Sequence, residues 1–347
     1  MNTRKRSLKE ARDALSYIDG SDRTERVRMG FALYDGYGDE AQAVWQEWSA
    51  PFTRAKQSEL TSMWRSFKRP GKTTIDSLFG FAYKKGWRST NKEAKPLKPG
   101  QIKDMEFERE RKKFIAEQNE KRMHERAAKK AAKVIEACSN QEHDYFERKG
   151  FPERQGLVID QPNLEDILRR PEDADPFPPG DPLVIPAYIK RGEVSTLQFI
   201  FPASKDFPTG AKRFMGGGKS SGAWHAIGRK WCKNLVLVEG YLTGLTVFRA
   251  FERFHHDAKV IVTFNTNNLV SLAERAKKAI IIADNDLETE ARIGRNPGVQ
   301  AAEKTGLPYW ISEIGGDAND FMMERGWEAL TQQLRNFVND QRRGVDG

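Results

Sequence analysis

Two cysteines, Cys138 and Cys232, are all that 347 residues contain. They are too few and too far apart for a disulfide framework or a cysteine-rich zinc site. The five histidines (His124, His143, His225, His255 and His256) make no ligand-like pair with them, so no zinc is expected. No apolar run approaches the ~20 residues of a membrane span, and Met1 to Glu10 lacks the hydrophobic region of an export signal. A cytoplasmic chain with no membrane partner is the expectation. Hydrophobic residues make up 38% of the chain and mean hydropathy is −0.71, low for one compact globule. Gly218-Lys219-Ser220 invites a phosphate-loop reading, but Arg213 stands where that motif needs glycine and no strong apolar strand leads into it. That reading fails.

What is present is basic charge and patterned segments. The formal net charge is +9, which fits a polyanionic partner without requiring one. Residues 1–89 read as a small all-α domain. Ser7 is placed to cap a helix carrying Ala11, Leu15 and Ile18, and helices follow over Arg23–Leu33 and Asp39–Trp48. Trp45, Trp48, Trp64, Phe67, Leu78, Phe79 and Trp87 would fill its core, with base stacking as the alternative use of the tryptophans. Residues 90–142 read as a linker and a long charged helix. Ile102 to Arg148 has neither glycine nor proline, which predicts one long or once-broken helix. Between Lys103 and Lys133, eleven basic residues face seven acidic ones, the composition of a solvated spacer or of a nucleic-acid-binding stripe. Leu157 to Pro182 is acidic and proline-rich and reads as irregular connection. Leu183–Ile189 and Ser195–Phe201 then read as a strand pair.

Lys205 to Lys233 holds seven basic residues (Lys205, Lys212, Arg213, Lys219, Arg229, Lys230 and Lys233) against one acid, Asp206. Glycines at 216–218 and the aromatics Phe214 and Trp224 are interleaved. Glycine lets backbone approach a phosphate, Lys and Arg supply charge, and aromatic rings stack on bases.

From Leu235 the pattern becomes strand, helix (Thr243–Phe254), strand (Val260–Phe264), helix (Leu269–Lys277), strand (Ala279–Ala283), helix (Pro297–Thr305), strand (Pro308–Ile311) and helix (Asp320–Phe337). Such alternation implies a mostly parallel sheet with helices on both faces. Glu239 ends the first apolar run and Asp284-Asn285-Asp286 ends another. Carboxylates at the carboxyl ends of parallel strands face the crevice where open α/β sheets bind ligands. The two-residue period turns Asp284 and Asp286 to one side. Several such carboxylates converging would repel one another unless a divalent cation sat among them, and hard oxygen donors favour Mg²⁺ or Mn²⁺. Taken singly, each acid could equally be a turn or cap residue, Asp320 as a helix cap above all.

The order of these motifs resembles the Toprim domain of bacterial-type primases, topoisomerases and some nucleases. Glu239-Gly240-Tyr241-Leu242-Thr243-Gly244, Ala283-Asp284-Asn285-Asp286, Asn296-Pro297-Gly298 and Gly316-Asp317-Ala318-Asn319-Asp320-Phe321 are similar to the words found in primases of phages and plasmids. Upstream, Tyr145-Phe146-Glu147-Arg148-Lys149-Gly150-Phe151, Leu197-Gln198-Phe199-Ile200 and Lys212-Arg213-Phe214-Met215-Gly216-Gly217 resemble the mixed α+β primase core. The tryptophan spacing near the N-terminus resembles a helical domain usually found at the C-terminal side of primases.

The resemblance implies a primase core over residues 143–233 and a Toprim catalytic domain over 234–347. It implies a nucleotidyltransferase that makes short RNA primers from NTPs on single-stranded DNA. Glu239, Asp284 and Asp286 would be catalytic, and would hold Mg²⁺ or Mn²⁺ together with Asp317 and Asp320. Lys212, Arg213, Lys219, Arg229 and Lys230 would bind nucleotide and template. A replicative helicase would be a separate chain. A Toprim nuclease using the same acids, or a non-catalytic accessory that binds single strands, are the rival readings.

Overall fold

The computed structural model describes residues 6–53, 55–68, 73–89, 99–169, 176–229, 232 and 234–343, leaving aside the side chains of 99–106, 109, 112, 293, 342 and 343. Lys230, Lys233 and most of the expected linker lie outside the described residues. The chain forms two compact units, residues 1–121 and 122–347.

In the first unit, α1 (Leu8–Leu15) starts at Ser7, whose hydroxyl accepts from the Glu10 amide while the Glu10 carboxylate accepts from the Ser7 amide. This reciprocal cap satisfies two amides at a helix start that have no partner within the helix. Helices α2 (Arg23–Tyr37), α3 (Gln42–Ser49), α4 (Gln57–Ser66) and α5 (Ile75–Lys84) follow. Trp45, Trp64, Phe67, Leu78, Phe79 and Trp87 are buried together, so these tryptophans serve as core. Gly30 is required at the centre, because a Cβ there would lie 2.2 Å from the Phe67 ring.

Helix α6 (Pro99–Ala137) is long, as its composition predicts, yet it is no mere spacer. Its Ala127, Ala131 and Val134, at positions i, i+4 and i+7, are buried in the core of the second unit. The helix also stops earlier than expected. Residues Ser139–Glu142 form a strand, β1, followed by a separate helix α7 (Asp144–Arg148) and strand β2 (Gln155–Val158). Helix α8 (Gln161–Leu168) interrupts the stretch expected to be irregular. Asp160 caps it and Pro162 sits in its first turn, where proline removes no helical hydrogen bond.

Strands β3 (Leu183–Lys190), β4 (Glu193–Phe201) and β5 (Ala211–Phe214) complete an antiparallel sheet in the order β1-β2-β3-β4-β5. One face, with Val184, Leu197, Phe199 and Phe201, packs on α6 and α8. Its other face places Leu183, Ile185 and Ile200 in a core shared with the rest of the unit.

The second sheet has the order β10-β9-β7-β8-β6. It contains β6 (His225–Gly228), β7 (Leu235–Val238), α9 (Tyr241–Arg253), β8 (Lys259–Val262), α10 (Thr266–Ala273), β9 (Ile280–Ala283), α11 (Leu287–Ile293), α12 (Pro297–Thr305), β10 (Tyr309–Ile311) and α13 (Ala318–Arg343). Every pairing is parallel except β6 with β8. Alternation along β7 sorts the layers. Val236 and Val238 face α9 and α13, whereas Leu237 faces α10 and α12. The expected three-layer α/β fold is therefore present. A backbone bridge between Tyr188 and Trp224 joins the regions of the two sheets. Among the described residues, no helix is long and apolar enough to cross a membrane.

Candidate active site

Two strand ends and one helix start deliver the acids. Glu239 follows β7, and Gly240 caps α9 in an extended conformation, with its carbonyl accepting from the Gly244 amide at 3.0 Å. After β9, Asn285 anchors the segment between the two aspartates. Its side-chain amide donates to the carbonyls of Ser312 (2.8 Å) and Ile314 (3.3 Å), and its Oδ1 accepts from Asn296 (2.8 Å). Its backbone exchanges two 2.8 Å hydrogen bonds with Gly316. With Asn285 tied to the scaffold, Asp284 and Asp286 take the other side of the extended segment. Gly298 lets the start of α12 approach, since a Cβ there would lie 2.2 Å from the Asp284 carbonyl oxygen.

Asp317 and Asp320 form a reciprocal cap on α13. Asp317 Oδ1 accepts from the Asp320 amide (3.0 Å), and Asp320 Oδ2 accepts from the Asp317 amide (3.1 Å). The second oxygen of Asp317 accepts from the Thr243 hydroxyl at 2.6 Å, tying the third acidic motif to the first turn of α9. Asp320 is turned elsewhere, with its Oδ1 accepting from Lys149 at 2.9 Å. Burial lowers the Lys149 pKa, but its bond to Asp320 and the charges of Asp320 and Asp317 outweigh this, and the net shift is upward.

Negative charge is concentrated at the strand ends. Burial pushes Asp284 up to about 8, reinforced by Asp317, Glu239 and Asp286, and opposed by Lys212. Glu239 is raised by burial and by Asp286, and again opposed by Lys212. Thus Glu239, Asp286 and Asp317 each act on Asp284, Asp286 acts on Glu239 as well, and Lys212 opposes the shift of both Asp284 and Glu239. Asp284 Oδ1 is buried with no hydrogen-bond partner.

The expected basic platform divides. In β5, Lys212 pairs with Ile200, whose side chain lies on the face packed toward the second sheet, while Arg213 pairs with Phe199 on the α6–α8 face. The two-residue period turns these neighbours to opposite faces. Lys219 is exposed on the glycine loop, its carbonyl held by the Ser195 hydroxyl at 2.6 Å. Arg229 follows Gly228, which pairs with Lys259 at the start of β8, and its guanidinium meets Asp257 at 3.7 Å. Because Glu239 follows the carboxyl end of β7, which is level with Val262, Arg229 stands at the far end of the sheet from the acids. Of the four described basic residues, only Lys212 is brought to the carboxylates.

A divalent cation fits the chemistry of this donor set. The carboxylates are hard oxygen ligands, they repel one another, and Asp284 Oδ1 lacks a partner. Among the described residues, no three side chains as placed close into a metal-holding group.

Several contributors escaped the sequence reading. Lys149 meets Asp320 across 171 positions, and Asn319 is fully buried between the Lys149 carbonyl and the Thr246 hydroxyl, donating to each at 3.0 Å. Thr243 and Asn285 lie inside the motifs that carry Glu239 and the Asp284–Asp286 pair, and that position was the available signal.

Residues 234–328 match the Toprim domain family, and residues 11–82 match the Primase C terminal 2 (PriCT-2) family. No curated protein matches the chain. Among solved structures, the primase of Aquifex aeolicus (zinc-binding and RNA polymerase domains) is 17% identical, with 63% of this chain and 61% of that chain covered and a TM-score of 0.39. The primase fragment of the bacteriophage T7 primase-helicase protein is 14% identical, covering 55% and 70%, with a TM-score of 0.33. The RNA polymerase domain of the Mycobacterium tuberculosis primase is 17% identical, covering 58% and 70%, with a TM-score of 0.34. The chain thus carries a Toprim domain and an N-terminal primase-associated helical domain.

Proposed function

We propose that the protein is a DNA-dependent primase of the phage or plasmid type, which condenses NTPs into short RNA primers on single-stranded DNA. The observation that carries this reading is Lys212. A strand outside the Toprim domain turns a cation toward the half-buried carboxylates of Glu239 and Asp284, and the same chain carries a primase-associated domain. A cation opposite a carboxylate site is what a reacting phosphate requires, because negative charge spreads over the phosphoryl oxygens during transfer.

Asp284, Asp286 and Glu239, with Asp317 beside them, would hold Mg²⁺ or Mn²⁺, and Asp320 contributes by fixing Asp317 through their reciprocal cap. Bound there, the metal supplies charge neutralisation for the attacking and leaving oxygens of an in-line displacement. Glu239, at the strand-to-helix turn after β7, would orient or deprotonate the primer 3′-hydroxyl or contribute to metal binding. Lys212 would draw in the triphosphate. Thr243 fixes the Asp317 carboxylate so that its charge stays aimed at the crevice. A separate replicative helicase would present the single strand.

Incubation with defined single-stranded templates, labelled NTPs and Mg²⁺ tests the reading. Template-dependent oligoribonucleotides are expected. Cleaved template without primers would overturn it in favour of a Toprim nuclease.

A further inference from the structure

On β5, the alternation that turns Lys212 toward the carboxylates turns Phe214 the same way, opposite Gln198. Phe214 remains 37% exposed. It meets the ring of Phe264 edge-on, with centroids 5.4 Å apart and planes at 83°. Phe264 comes from the other sheet. It lies just beyond β8, and its amide donates to the Glu239 carbonyl at 2.9 Å.

The Phe264 backbone is unusual. Its φ is +66°, in the left-handed region that a bulky side chain rarely enters. Glycine or asparagine would take that conformation with less strain. The neighbours enforce it: the Thr263 amide and hydroxyl donate to the Val238 carbonyl at 2.9 and 3.0 Å, and Asn265 caps α10. Strain of this kind collects at sites where a side chain must be delivered to one place. Here it places an aromatic ring against Phe214, on a backbone tied to that of Glu239. Ordinary packing between the sheets would need neither an aromatic pair nor a partly exposed ring, since an aliphatic side chain fills such a gap.

We propose that Phe214, braced by Phe264, is the stacking face for a nucleobase at the mouth of the carboxylate crevice. Lys212 and Phe214 stand two residues apart on one strand face, about 7 Å, the scale of the separation between a nucleotide's phosphate and its base. Phe214 would take the base while Lys212 takes the phosphate. Stacking on an aromatic face tolerates every base, which suits an enzyme that accepts four. This inference rests on the primase reading and deepens it. The shared chemistry is a nucleobase, carried either by the template strand or by the incoming NTP.

The test compares Phe214→Leu, which keeps apolar bulk without a π face, with Phe214→Trp. Both are melted first to confirm folding. Affinity is measured for a thymidine oligonucleotide and for a matching strand of abasic sites, and KM is measured for NTPs in primer synthesis. Phe214→Leu is expected to lose on the order of tenfold in one arm, with Phe214→Trp at or above the wild type. A loss confined to the base-bearing strand places the template base on Phe214, and a raised NTP KM at unchanged kcat places the incoming nucleotide there. An active wild type with Phe214→Leu unchanged in both arms overturns the stacking face alone. A wild type that binds neither strand nor NTP overturns it together with the primase reading.

Discussion

The tryptophan indoles of the N-terminal helical unit and the carboxylates at the strand ends meet their polar needs in opposite ways. In the helical unit, the indole nitrogens of Trp45, Trp48, Trp64 and Trp87 each donate to a partner: the carbonyls of Arg26 and Ile18 and the carboxylates of Asp39 and Asp13. Asp39 accepts from Lys68 as well, and the rings pack edge-on or tilted against one another. At the strand ends, Glu239, Asp286 and Asp317 all act on Asp284, whose Oδ1 has no partner and whose pKa is pushed up to about 8. A buried group that is satisfied holds a fold together. A buried group left unsatisfied costs stability, and is retained where something else completes it.

That contrast is broken most severely by removing a crevice charge. Glu239→Gln preserves shape and hydrogen bonding, and should reduce NTP turnover by about a hundredfold or more in a single-turnover assay. A loss under about tenfold would make Glu239 structural. Next come the two cations that adjoin in sequence and face apart in the fold. Lys212→Ala should lower turnover by about 10- to 100-fold and flatten the salt dependence of single-strand affinity by about 0.7 of a log unit. Arg213→Ala should leave turnover nearly unchanged, and equal losses from the two would refute the division of β5 into two faces.

Gly298→Ala presses a methyl group against the Asp284 carbonyl, so thermal melts should show a loss of about 1–3 kcal/mol, with reduced turnover because Asp284 must shift. On the other side of the comparison, Trp45→Phe removes the donor to the Arg26 carbonyl from a fully buried site. It should cost about 1–3 kcal/mol of stability in the helical unit while the kcat of folded protein stays at the wild-type value.

The parts of this account that were legible in the sequence share one property: their side chains are sorted by local pattern. Leu235–Val238 is a strand in the structure as its apolar run predicts, and Ala279–Ala283 matches to within one residue. Strands β1, β5 and β6 were not legible. Ser139–Glu142 is an exposed edge with no apolar alternation, and Ala211–Phe214 was concealed by its basic residues. His225–Gly228 has no apolar alternation of its own, and is fixed by pairing with β8 and by burial of Ile227 in the shared core. The seam of α6 was missed because alanines carry it. The acids were found by their positions after strands, but their partners were not. Lys149, Asn296 and Thr243 act across distances in sequence that only folding closes. The basic run between Lys205 and Lys233 suggested one surface, and strand alternation and the antiparallel turn of β6 distribute it over several.

The claim that the crevice stores unresolved negative charge for a cation has a direct measurement: thermal melts of metal-free wild type and Asp284→Asn at pH 5 and pH 9, with and without Mg²⁺. The folded-state pKa of Asp284, about 8, lies above the ordinary 3.8. The neutral acid's contribution is therefore fully present below pH 3.8 and is lost as pH rises through 8. Asn cannot ionise, so the account predicts that Asp284→Asn melts higher than the wild type at pH 9 without metal, with a smaller difference at pH 5. It also predicts that Mg²⁺ raises the wild-type melting temperature at pH 9 and moves the variant much less. A variant that melts below the wild type at pH 9 and responds equally to Mg²⁺ would contradict it.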